Sequence, residues 1–203
     1  METNQDYKNR ALAALENKWA DGAIATLIVF LISGGVSTMV TLPMNDISGT
    51  SFSSIWSLLC LPLNWGLVVY FLNLIRQEDI SYGRLFDGYK DFFRIFLTML
   101  VVGLIVVFGI ILFIVPGIIF GLMLSQTSFI LKDDKQISAV DALSKSIQMM
   151  KGHKAQLFWL TLSFIGWFIL ACLTLGLGFL LLAPYWYATM AHFYEDLKKE
   201  YGE

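Results

Sequence analysis

Apolar runs and short charged segments alternate along the whole of this chain. Six runs read as membrane spans, at residues 22–42, 55–75, 95–115, 116–131, 156–173 and 178–194. A helix rises 1.5 Å per residue, so about 20 apolar residues cross a hydrocarbon core of about 30 Å. The run at 116–131 is short for a crossing, which implies local thinning or burial by neighbours.

The charged segments carry their own periodicity. Residues 7–19 read as an interfacial helix, because Tyr7, Ala11, Leu15 and Trp19 recur at every fourth position. Residues 81–94 and 138–151 read as cytoplasmic amphipathic helices. Ser81 is placed to cap the first, and Tyr82, Leu85, Phe86, Tyr89 and Phe93 follow helical spacing. In the second, Ser138 with Asp141 resembles a capping box. Val140, Leu143, Ile147 and Met150 share a face, and Gly152 is suited to a left-handed cap. Residues 43–54 are rich in Ser, Thr and Asn and read as a loop. Pro62 predicts a helix start, with a short separate piece before it. Residues 174–177 allow only a tight turn. Ser33, Gly34, Gly35 and Ser37, and the pair Gly117 and Gly121, offer small faces for helix contact.

Every Lys and Arg falls at the N-terminus, in 76–94, in 132–154 or in the tail. An excess of Lys and Arg marks the cytoplasmic side, so both termini and both charged connectors are expected there. No cleaved signal peptide is expected at the N-terminus. The layout recurs three times: an amphipathic lead, a span, a short outer turn, and a return span with an early proline at Pro62, Pro116 or Pro184. This predicts an all-α, six-span bundle built as three parallel two-helix units about an axis along the membrane normal.

Composition agrees. The chain is 57% hydrophobic and 15% charged, with mean hydropathy +0.66, more apolar than a soluble domain of this length hides. A net charge of −2 implies no nucleic-acid surface. Cys60 and Cys172 lie in apolar runs and read as small hydrophobes. No zinc spacing, Gly-rich phosphate loop or nucleophile elbow is present, so the reading is non-enzymatic, without metal or cofactor. No span core carries Asp, Glu, Lys or Arg, which argues against a proton-coupled pump or a voltage sensor.

The polar residues within spans are the candidate site. Asn64, Asn73, Gln126, Ser128, Tyr185 and His192 come from the second, fourth and sixth spans. If those helices line a shared axis, the six residues line a polar cavity open toward the cytoplasm. The alternative is interhelical hydrogen bonding that holds the bundle together. Lys151, His153 and Lys154 are candidate contacts for lipid headgroups.

Particular stretches carry a resemblance. They are Ile-Val-Pro-Gly-Ile-Ile at 114–119, Ser138, Ala142 and Ser146, Met-Met-Lys-Gly-His-Lys at 149–154, and Leu-Ser-Phe-Ile-Gly-Trp at 162–167. Leu-Thr-Leu-Gly-Leu-Gly at 173–178, Phe-Tyr-Glu-Asp-Leu at 193–197 and Leu-Phe-Asp-Gly-Tyr at 85–89 complete the set. The chain resembles a family of bacterial integral membrane proteins known as domain of unknown function 975. The resemblance implies a six-span protein of the bacterial inner membrane, and no activity that can be assigned to a residue. Two functions are therefore expected as alternatives. One is a non-enzymatic module that binds or moves lipid or small amphipathic molecules. The other is a scaffold or accessory subunit that docks a protein through its interfacial helices. The expected partners are membrane lipids and a second copy or a membrane protein.

Overall fold

The computed structural model describes residues 2–35, 47–174 and 176–202, which are mostly helical, with no strand among them. The end of the first predicted span, 36–42, and the start of the predicted loop, 43–46, lie outside the described residues.

Helix α1 (Asn4–Leu15) opens with a capping box in which the Thr3 hydroxyl accepts from the Asp6 N–H at 3.3 Å and the Asp6 carboxylate accepts from the Thr3 N–H at 3.0 Å. The chain turns at Asn17, in left-handed backbone with φ 62°, and α2 (Trp19–Phe30) leaves with a bend of 95° between the two segments. Trp19 thus begins the second helix; the interfacial helix stops at Leu15. The predicted loop is corrected as well, because α3 (Ile47–Leu59) occupies its second half. Serine and threonine disfavour helix only weakly, and in an apolar setting a helix is how the backbone satisfies its own polar groups. The chain breaks at Cys60, and α4 (Leu61–Arg76) follows with Pro62 in its first turn, where a missing N–H costs nothing.

The predicted helix at 81–94 is two elements. Tyr82–Tyr89 form a 3-10 helix, a turn follows, and α5 (Phe92–Leu112) begins. At three residues per turn, Tyr82, Leu85 and Gly88 stand in line. Tyr82 stacks on Tyr70 at 6.3 Å, while Leu85 and Gly88 press their backbone against α4 at Gly66 and Pro62. Then come α6 (Ile114–Leu124), α7 (Thr127–Asp133), α8 (Ala139–Met149), α9 (Lys154–Leu162), α10 (Ile165–Leu173) and α11 (Phe179–Tyr201). Ser138 does cap α8, accepting from the Asp141 N–H at 3.2 Å, and Gly152 does take a left-handed conformation at φ 86°. Helix α8 buries Ala142, Leu143, Ser146 and Met149, and Met150 just after it is buried too, so of the predicted face Leu143 and Met150 turn inward whereas Val140 is 77% exposed.

Among the described residues, four helical stretches are long and apolar enough to cross a membrane: Phe52–Arg76, Phe92–Leu112, Ile114–Asp133 and Lys154–Leu173. The bent pair α1–α2 makes a fifth if it counts as one span. Helix α11 is long enough, but its second half carries Glu195, Asp196, Lys198, Lys199 and Glu200 and is too polar on average to join them.

The apolar stretches divide into inner and outer. The most apolar part of Phe52–Arg76 is 67% buried, against 17% for Phe92–Leu112 and 22% for Lys154–Leu173. Packing follows a cyclic order. Helices α1 and α2 lie on α11, the 3-10 helix and α5 lie on α4, and α8 and α9 lie on the α6–α7 pair. At the centre, α4 packs on both α11 and α7. Phe71 stacks on Tyr187 at 5.6 Å, Phe129 on Tyr194 at 4.9 Å, and Tyr7 meets Phe193 edge-on at 5.5 Å. Gly22 lets α2 approach Pro184 and Phe71 closely; a Cβ there would stand 3.1 Å and 3.3 Å from them. Only Gly117 of the predicted glycine pair is used, against Ile110, while a side chain at Gly121 would meet open space.

Candidate functional site

The six polar residues do not converge. Asn64 donates from Nδ2 to the Cys60 carbonyl at 3.1 Å, satisfying the break between α3 and α4. Asn73 donates to the Asp79 carbonyl at 3.1 Å, tying down the turn that ends α4. Gln126 sits at the break between α6 and α7 and donates to the Ser125 hydroxyl at 2.8 Å, while that hydroxyl donates to the Leu122 carbonyl at 2.8 Å. The Ser128 carbonyl accepts from Trp65 Nε1 at 2.9 Å, and its hydroxyl lies 3.6 Å from Met99 Sδ. Tyr185 is buried among aromatic rings, 5.0 Å from Phe164 and 6.2 Å from Trp167. His192 is half-buried on α11, where its Nε2 has no hydrogen-bond partner among the described residues.

Three of the six, Asn64, Asn73 and Gln126, therefore serve their own helix ends. Where water is absent, a broken helix must find donors for its freed carbonyls, and nearby Asn, Ser and Thr side chains supply them. Thr26, Ser33, Thr98 and Thr189 donate to the carbonyl four residues earlier in the same way. Among the described residues, Ser128 reaches other helices at Trp65 and Met99, and His192 faces the Arg10 backbone of α1.

Charge collects where α4 and α7 end against the polar second half of α11. Arg76 at the end of α4 grips Asp133 at the end of α7 with two bonds, of 2.6 Å and 2.9 Å, and also Glu195 of α11 at 2.5 Å. Asp133 accepts as well from the Tyr194 hydroxyl at 2.9 Å and from Lys198 at 2.6 Å. The Asp133 and Arg76 side chains are 16% and 19% exposed, so these charges are largely withdrawn from water. Beside them Arg10 of α1 pairs with both Glu2 and Asp196, at 2.7 Å and 2.8 Å. The sequence signal for this knot is a charge at the polar end of each return run, which a search for polar groups inside spans passes over.

Apolar grooves open on the flanks. One of about 380 Å³ lies at the α1–α2 bend between α1, α10 and α11, walled by Trp19, Trp167, Leu181 and Tyr185. A second, of about 630 Å³, runs between α2, α4 and α11 and takes in Asn64 and Tyr187. Asn64 and Tyr185 thus border different grooves, and Asn73, Gln126, Ser128 and His192 border neither.

A family described as a protein of unknown function (DUF975) matches residues 1–120 and again residues 101–201. The chain belongs to this family. No curated protein and no solved structure matches it. In this DUF975 chain, the three residues expected at lipid headgroups stand near the end of α8 and the start of α9. Lys151 is exposed, His153 Nε2 lies 3.3 Å from Glu200 of α11, and Lys154 begins α9. Among the described residues no group of three or more His, Cys, Asp and Glu is arranged to hold a metal ion.

Proposed function

We propose that this DUF975 protein is a non-enzymatic module of the bacterial inner membrane that binds lipid or small amphipathic molecules along its flank. The observation that carries this reading is the groove at the α1–α2 bend. Trp19, Trp167 and Tyr185 supply flat apolar walls with polar tips, the side chains favoured where hydrocarbon meets water. The reading is binding rather than passage, since the polar groups a passage needs are divided among separate helix ends. Six crossings fit it. Glu2 pairs with Arg10, Arg10 with Asp196, and Gln156 donates to the Glu2 carbonyl at 2.8 Å, so the two ends of the chain share one face. A chain whose ends share a face crosses an even number of times. Counting the bent pair and α11 with the four apolar stretches gives six. The concentration of Lys and Arg on that face makes it cytoplasmic. Three parallel units are supported by the cyclic packing, in which each lead and its span lie on the return helix of the unit before. Phe71 and Phe193, both fully buried, also stand at the same distance after Pro62 and Pro184.

Native mass spectrometry of protein released from nanodiscs of bacterial lipid tests the groove. Leu181 is 57% exposed and lines it, so Leu181→Trp fills the space while leaving the fold intact. The wild type is expected to retain lipid and Leu181→Trp to lose most of it, whereas Gln126→Ala, which borders neither groove, leaves it unchanged. A bare wild type, or equal retention by Leu181→Trp, overturns the reading. The scatter of the six polar residues favours a second reading, a scaffold or accessory subunit, and a co-purifying polypeptide in place of lipid would select it.

A further inference from the structure

We infer that the pocket enclosed by the 3-10 helix, the start of α5 and the end of α7 is a binding site for a phosphate oxyanion, such as an anionic phospholipid headgroup presents. The site goes beyond the flank groove and does not depend on it. The pocket holds about 100 Å³, room for a few water molecules or one phosphate group, and its floor is Trp65 and Val69. Five cations and two carboxylates line it. Asp87 is already engaged, by Lys90 at 2.6 Å and Arg84 at 3.2 Å. Burial pushes the Asp87 carboxyl up, but these two cations outweigh it and hold the group below the usual carboxylate range.

Three cations remain poorly matched. Arg94 gives its terminal nitrogens to the carbonyls of Asp134 at 3.0 Å, Leu131 at 3.3 Å and Ile137 at 3.4 Å, and the carboxylate it reaches, that of Asp91, lies at 3.7 Å. Its Nε is buried and has no partner among the described residues. Among the described residues, Lys132 has only a long contact to Glu78, at 3.8 Å. Lys135 is exposed, with no ion pair or hydrogen bond among the described residues. A tetrahedral oxyanion offers acceptors to all three at once, and charge-assisted bonds of this kind are the strong ones. The helix that carries Arg94 also suits a lipid: Phe93 is 83% exposed and Leu97 52%, and at a spacing of four residues they share an apolar face of α5.

The test compares wild type with Lys132→Ala/Lys135→Ala, which spares Arg94 and its carbonyl bonds at the end of α7. Protein in phosphatidylcholine nanodiscs doped with phosphatidylglycerol is assayed for retained phosphatidylglycerol, and protein in neutral detergent is titrated with inorganic phosphate. At roughly fivefold per surface lysine, the double variant is expected to bind on the order of thirtyfold more weakly. Lys18→Ala/Lys199→Ala, which removes the same charge away from the pocket, serves as the control and is expected to bind as wild type. Preferential retention of phosphatidylglycerol, lost in the double variant, supports the site with a lipid as its ligand. Phosphate binding lost in the same variant, without lipid preference, supports the site with a free anion as its ligand. Absence of both from the wild type, or equal binding by the double variant, overturns the proposal.

Discussion

Replacing Asp133 with alanine is expected to destabilise the protein by about 2–4 kcal/mol, near the lower end of what breaking a buried ion pair costs. The value is set below the full range because the side chains involved are 16–26% exposed. Three groups lose an acceptor together. Arg76 keeps only Glu195, while the Tyr194 hydroxyl and Lys198 lose the carboxylate they share. The tie that α4 and α7 make at their ends with the second half of α11 is cut. Thermal unfolding in detergent, followed by circular dichroism, reads the loss as a clear drop in Tm. Because the groups act as a unit, Arg76→Ala combined with Asp133→Ala is expected to cost less than the two single changes added. Additive losses would mean that the residues contribute independently and that no network exists.

The second large effect is steric. A Cβ at Gly66 would overlap the Leu85 carbonyl, and one at Gly88 would overlap the Pro62 carbonyl. Both obstacles are backbone, so no rotamer change relieves them. Gly66→Ala and Gly88→Ala are each expected to cost about 3 kcal/mol, the upper part of the usual overpacking range, as the 3-10 helix is forced off α4. Gly103→Ala and Gly121→Ala, whose new methyl groups meet open space, are expected to stabilise by up to about 1 kcal/mol, because alanine is the better helix former. The four variants compared by Tm separate close packing from glycine content. Equal, small shifts in all four would remove the close contact from the account.

The cause of this contact also explains how far the sequence could be read. Apolar runs, their prolines, the cap at Ser138 and the turn at Gly152 are local features, and each was legible. Line-up at every third residue in Tyr82, Leu85 and Gly88 looks like helical spacing until α4 is placed beside it; a 3-10 helix this long is uncommon and is held by its neighbour. The same holds for α8, where small Ala142 and Ser146 face inward because packing demands a close approach there. Val140 is more apolar than Ser146 yet stands outside. Among the polar residues, the type was legible and the partner was not. Asn64 and Gln126 are candidates for one shared cavity or for interhelical bonds, but each answers a break in its own helix, at Cys60 and Ser125, and Asn64 borders a flank groove that Gln126 does not reach. The ionic knot was missed because its members lie at run ends, separated by tens of residues, and only the fold brings them together.

Both the flank groove and the oxyanion site require a six-crossing chain with its charged end inside the cell. Cysteine accessibility tests that arrangement most directly. On a background with Cys60 and Cys172 replaced by serine, single cysteines at Gln5, Phe113 and Glu200 are treated in intact cells with a membrane-impermeant maleimide. Phe113 is 75% exposed at the turn between α5 and α6, away from the ionic knot. The account predicts labelling at residue 113 in intact cells, and labelling at residues 5 and 200 only after permeabilisation. Labelling of residues 5 and 200 from opposite sides, or protection of residue 113 with exposure of both ends, would contradict it.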